Sequence, residues 1–274
     1  MRITQPARNT ALEIDAGAVW PALVFGTDAS GPHVWRWTIS WRRFSQSGRA
    51  TTVGPRWDAA EAIADRGGLL VVRAQAGSHQ ASAAVRITGR NPSEGQIKDH
   101  LSGQADADLM LKIARQESRL RQFTARGEPL RSFDNGYGLC QITNPAPSYE
   151  QVFNWRRNLD AGRKLLAAKR AKAIEWLSRD KRSYTATQLD YETVSRWNGG
   201  HYHEWVAKAG AWVRRRDVLC ASDTGNIGWD LTDPANAGQT EAVLHRRDSG
   251  GFNAHTDASS WNYFGACYAD HVLG

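Results

Sequence analysis

With 274 residues the chain is long enough for two domains, each burying its own core. Its formal net charge is +7, most of it before residue 91, where eleven arginines and no lysine face six acids; this favours anionic partners such as peptidoglycan or nucleic acid, although a solvated basic surface gives the same balance. Three cysteines exclude a disulfide scaffold, and no stretch approaches the roughly 18 apolar residues of a membrane helix, so no membrane span is expected.

In chain order, Met1 to Pro6 lacks the apolar core of a secretory signal, so synthesis in the cytoplasm without a signal peptide is expected. His33 to Trp41 alternates, with Trp35, Trp37, Ile39 and Trp41 on one face and Arg36, Thr38 and Ser40 on the other, the period of a half-buried strand. Leu70, Val72 and Ala74 repeat the alternation, as do Ala83, Val85 and Ile87, with Gly67-Gly68 and Ala76-Gly77-Ser78 as turns between. Asp58 to Asp65 suits a short helical connection. Residues 1 to 91 therefore predict an immunoglobulin-like β-sandwich whose tryptophan stripe is core, with a sugar-stacking platform as the alternative. Gly89 to Gly95 breaks the strand pattern and reads as a linker.

After it the period becomes helical. Leu109, Ile113 and Leu120 recur along a helix predicted over Asp108 to Phe123, which places Glu117 on their apolar side. A carboxyl held against apolar groups resists ionisation and suits a general acid. A plain structural acid, satisfied by Arg115, Arg119 or Arg121, fits the same pattern. Asn135 to Thr143 follows as a glycine-bearing turn, where Gln141 offers both a donor and an acceptor. Asn158 to Ser178 predicts a helix with Leu159, Leu165, Leu166, Ile174 and Leu177 inward, and Thr185 to Gln188 reads as the capping box of the next helix. That helix ends at Trp197-Asn198-Gly199-Gly200. His201 and His203 lack ligand spacing, so neither a metal nor another cofactor is expected. Cys220 and Cys267 are left as a pair able to bridge in an oxidising compartment. The tail beyond them has poor periodicity.

Glu117-Ser118, Gly138-Leu139-Cys140-Gln141, Asn158 to Leu166 with Gly162, and Trp197-Asn198-Gly199-Gly200 together resemble, in order and spacing, the soluble lytic transglycosylase domain. The resemblance covers roughly Ile97 to Trp212. It implies a fold class of two domains, an all-β sandwich (1–91) followed by a mainly α lysozyme-like domain (92–274). It also implies Glu117 as the single catalytic acid/base, with Ser118, Tyr137, Gln141, Trp197 and Asn198 as substrate-binding residues. Two positions depart from the family pattern. Trp197 replaces the usual tyrosine and cannot accept a proton, which leaves Tyr137 or Tyr191 to orient the acid or a differently tuned site. Cys140 replaces Met or another apolar residue and reads as a small buried hydrophobe.

The resemblance implies cleavage of the β-1,4 bond between N-acetylmuramic acid and N-acetylglucosamine, leaving 1,6-anhydromuramic ends. A hydrolase using Asp134 as a second carboxylate, or a non-catalytic wall-binding protein, are the rivals. Nucleic acid is not an expected partner, because no helix-turn-helix, finger or RNA motif is present. A wall-cutting chain without a signal peptide is similar to modules of injection systems. That likeness implies an antibacterial toxin acting in the periplasm or outside the cell, with a cognate immunity protein and a secretion or tail apparatus as partners.

Overall fold

The structure is a computed structural model and describes residues 1–7, 10 and 12–274. Among the described residues eight strands form before residue 90: β1 (Ile3–Gln5), β2 (Leu12–Ile14), β3 (Val24–Thr27), β4 (His33–Trp41), β5 (Phe44–Thr52), β6 (Arg56–Asp58), β7 (Gly68–Ala76) and β8 (His79–Gly89). After them come α1 (Glu94–Leu101), α2 (Ala107–Ser118), α3 (Tyr149–Phe153), α4 (Trp155–Leu177), α5 (Ala186–Asn198), β9 (His203–Val206), β10 (Ala211–Arg214), β11 (Val218–Cys220), β12 (Ile227–Asp230), α6 (Glu241–Asp248), β13 (Asn262–Tyr263) and α7 (Gly265–Leu273). The described chain divides into two compact units, Met1–Gln104 with Glu117–Gly162, and Ala105–Gln116 with Arg163–Gly274.

In the first unit a five-stranded sheet runs β2-β8-β7-β4-β5, antiparallel except for the β2–β8 pair, and a three-stranded sheet runs β1-β3-β6. The alternation in β4 is as the sequence predicts: Trp35, Trp37, Ile39 and Trp41 are buried while Arg36 and Thr38 face solvent, so the stripe is core and not a sugar platform. Asp58 to Asp65 forms turns and not a helix.

The expected fold class is corrected here. The described residues are 31% helix and 27% strand, with strands in both the N-terminal and the C-terminal parts, and do not form an all-β sandwich followed by a lysozyme-like domain. The reason lies in what covers the large sheet. At the start of β4, Trp35 stacks on Trp57, which stacks on Phe25, so the small sheet covers that end. At the other end, Trp41 packs edge-on to Tyr137 and Phe153, and Phe44 stacks on Tyr149. Phe123, Tyr137, Tyr149, Val152 and Phe153 thus belong to the same core as the strand tryptophans. At about 1.5–3 kcal/mol for each buried side chain, five contribute on the order of 10 kcal/mol, comparable with the net stability of a typical domain. Gly89 makes room for this covering, since a Cβ there would lie 2.3 Å from the Phe123 ring. The presumed linker is tied in as well. The Asn91 side chain accepts from the backbone N–H of Gln122 (2.8 Å) and Phe123 (2.7 Å) and donates to the Phe123 carbonyl (2.9 Å).

In the second unit, α5 opens on the expected capping box, with Thr185 Oγ1 accepting from the Gln188 N–H. Leu166 and Leu177 of α4 are buried here, as is Leu159 in the part of α4 that belongs to the first unit, but Ile174 is exposed and Ala173 takes the inward position. Ala173, Leu177, Leu189 and Trp212 form one small core. The tail, aperiodic in sequence, makes the sheet β11-β12-β13 and a second core of Ala221, Ile227, Trp229, Leu244 and Trp261. Cys220 and Cys267 are joined by a disulfide that ties β11 to α7. No helix among the described residues is long and apolar enough to cross a membrane.

Candidate active site

Helix α2 stops at Ser118, five residues before the sequence pattern suggests, because Arg119 (φ 56°) and Leu120 (φ 59°) both adopt the left-handed conformation. Two consecutive non-glycine residues there cost on the order of 1–2 kcal/mol each, so the surrounding contacts must hold them. Glu117 lies in the last turn and is half-buried, and Ile113 one turn earlier is fully buried.

What holds this helix end is the glycine turn. Ser118 is buried and its hydroxyl donates to the Leu139 carbonyl (2.8 Å) while accepting from the Arg121 N–H (3.1 Å). The Leu139 N–H donates to Gln122 Oε1 (3.0 Å), and Gln122 Nε2 donates to the Val152 carbonyl (2.7 Å). Asn158, from α4, closes the knot: its Oδ1 accepts from the Cys140 N–H (3.0 Å) and its Nδ2 donates to the Tyr137 carbonyl (3.0 Å). Three of the four stretches singled out in the sequence are therefore interlocked in one hydrogen-bonded knot. Gly138 sits at its centre with φ 73°, and a Cβ there would lie 2.4 Å from Gln122 and 2.7 Å from Asn158. Only glycine allows both the conformation and the approach. Gln122 and Asn158 are the residues whose structural role the sequence pattern underrates; both are buried polar side chains that follow an arginine, so local pattern carries no mark of their burial.

Each expected site residue has a definite place. Gln141 is half-buried, holds a left-handed φ of 45°, and donates from its amide to the Gly138 carbonyl (2.7 Å). Tyr137 is 1% exposed and wedged between Trp41 and Phe44, so its ring packs the core and does not flank a sugar. Ser118 acts as a clamp. Asp134 is exposed and bonds within its own turn, to the hydroxyl of Ser132 and, at 3.5 Å, that of Thr143. Cys140 is buried and unpaired with any other cysteine; burial, together with the charges of Glu117 and Asp160, pushes its thiol pKa up and keeps it protonated. Trp197 and Asn198 end α5 in the second unit, both half-buried, with Asn198 Oδ1 accepting from Asn226 Nδ2 (3.2 Å). Tyr191, on the same helix, lies 4.8 Å ring to ring from Tyr202.

Glu192 is the acid that sequence reading passed over. It is fully buried on α5 and accepts from Arg196 Nε (3.1 Å) and the N–H groups of Tyr202 (3.0 Å) and His203 (3.1 Å), with the Nδ1 atoms of His201 and His203 at 3.0 and 3.2 Å. Burial alone would raise its pKa, but hydrogen bonds from both histidines and the His203 backbone, aided by Arg196, hold it down at about 2. The two histidines thus serve this carboxylate. The signal was available in the Glu192-to-Arg196 spacing of one helical turn.

Against this geometry, comparison with models of known families, with characterised proteins and with solved structures gives no match.

Proposed function

We propose that the chain is a peptidoglycan lytic transglycosylase in which Glu117 is the single acid/base. The observation that carries this reading is the knot itself: the Glu117-Ser118 helix end, the Gly138–Gln141 turn and Asn158 are bound to one another, and left-handed non-glycine residues occur on both sides of it, at 119, 120 and 141. Strain of this kind persists where surrounding structure fixes it and is concentrated at functional sites. In the proposed reaction Glu117 protonates the oxygen leaving C1 of the muramic residue. The same carboxylate then removes the proton of the muramic C6 hydroxyl as that oxygen closes on C1, so the glycan ends in an anhydro ring and no water is consumed. The substrate's own N-acetyl carbonyl assists at C1, which removes the need for a second carboxylate. Gln141, in the same unit as Glu117, is the proposed amide contact to the sugar's acetamido group.

Asp134 is the residue a hydrolytic rival requires. Its bonds to Ser132 and Thr143 account for it as a turn-former, so Asp134→Asn is expected to retain most of the activity. The Cys220–Cys267 disulfide supports work in an oxidising compartment, where the wall is found. An antibacterial effector role is part of the same proposal; directing the chain to the periplasm of a Gram-negative host should lyse it, and Glu117→Gln should not. Lysis that is equal with both forms would count against it.

A further inference from the structure

The outer face of the large sheet carries a feature that neither the core nor the knot uses. Arg36 of β4 is paired directly with Arg49 of β5 on one side and with Arg73 of β7 on the other. All three are exposed and point away from the tryptophans. Adjacent strands lie about 4.8 Å apart, so the three stems form a row about 10 Å long. Like charges placed directly opposite one another destabilise a sheet, and here nothing offsets them: among the described residues no carboxylate pairs with any of the three, and Arg36 has only Gln75 Oε1 at 3.3 Å. The row floors a shallow groove of about 510 Å³, whose other walls include Val71 and the hydrogen-bonded hydroxyls of Thr38 and Ser47 (2.8 Å).

We propose that this arginine row docks the carboxylates of the peptide stems of peptidoglycan, a reading that rests on the proposed function. Planar guanidinium groups in a row match carboxylates in bidentate pairs, and the neighbouring hydroxyls suit the amides of an extended peptide laid across the strands. Single-stranded nucleic acid needs a series of exposed aromatic rings on which successive bases stack, and this groove is lined by one aromatic residue, Trp37, which is buried at 7% exposure. The catalytic knot packs on the opposite, buried face of the sheet through Tyr137, so the row is a second contact with the wall that retains the protein and takes no part in bond cleavage.

The test uses the full chain carrying Glu117→Gln, so that sacculi survive the measurement. Its sedimentation with purified sacculi is compared with that of the same chain carrying Arg36→Gln, Arg49→Gln and Arg73→Gln. A loss of about tenfold or more in affinity is expected, with an equal loss when the unaltered row meets sacculi whose carboxylates have been converted to amides. Because the change removes repulsion, the triple variant should melt no lower than its parent, and in a Glu117 background it should cut peptide-free glycan chains at the parent rate. Undiminished retention of the triple variant, or equal retention on amidated sacculi, would overturn the proposal. So would loss of binding to duplex DNA with retention on sacculi unchanged. Failure of the cleavage assay with carboxylate-dependent retention intact would remove the enzyme reading and leave the docking surface standing.

Discussion

Two glutamates on helices of this chain, Glu117 and Glu192, differ in what surrounds them. Glu192 is wholly enclosed, its oxygens answered by an arginine, two histidines and two backbone N–H groups, and it is held ionised far below the usual carboxylate range. Glu117 is half-buried at a helix end, beside a strained backbone and a turn that only glycine allows. A carboxylate fixed in one protonation state organises structure. An acid/base must change state and must meet its substrate. Glu192 is thereby a structural acid, Glu117 is the one to which the proposed function gives the chemistry, and each role can be broken.

The largest expected effect concerns the frame around Glu117. Residues 1–91 expressed alone should fail to fold cooperatively, because the aromatic cover from Phe123 to Phe153 is missing from their core. A sharp thermal transition for that fragment would restore the self-contained sandwich. Next, Glu192→Ala should cost about 3–5 kcal/mol, since it leaves Arg196 and buried N–H groups without their acceptor, while Glu117→Gln should shift the melting temperature only slightly. Equal melting shifts would erase the distinction between the two acids.

The same contrast has a pH signature. The folded-state pKa of Glu192, about 2, lies below its unfolded value near 4.5, so its contribution is complete above pH 4.5 and is lost as pH falls through that window. The loss is about 3 kcal/mol, and denaturant unfolding at stepped pH should show it in the parent and not in Glu192→Gln. The smallest effect is local: Gly138→Ala should cost about 1–3 kcal/mol and, by displacing Gln122 or Asn158, reduce cleavage more than a stability loss of that size explains. Unchanged activity would detach the knot from the site.

Parts of this arrangement were legible in the sequence. The alternation of Trp35 to Trp41 and the Thr185 capping box follow from local pattern, Cys140 is buried as expected of a residue in an apolar position, and three of the four motif stretches are joined by hydrogen bonds. Other parts could not be read locally. Arg119 and Leu120 carry no mark of left-handed backbone, since that conformation is imposed by Ser118 gripping Leu139, so the helix seemed to run on. Tyr137 was expected beside the substrate from the transglycosylase resemblance, whereas the uncovered end of the sheet needed its ring. The fold class failed for the same reason: which segment covers a sheet is decided by contacts distant in sequence.

The central claim is that Glu117 cuts glycan strands by internal attack of the C6 hydroxyl. Mass analysis of the sugars released from purified peptidoglycan tests it most directly. The account predicts 1,6-anhydromuramic ends from the parent chain, and a loss of product on the order of a thousandfold in folded Glu117→Gln. Ordinary reducing muramic ends that disappear in Asp134→Asn, or undiminished release by the Glu117→Gln protein, would contradict it.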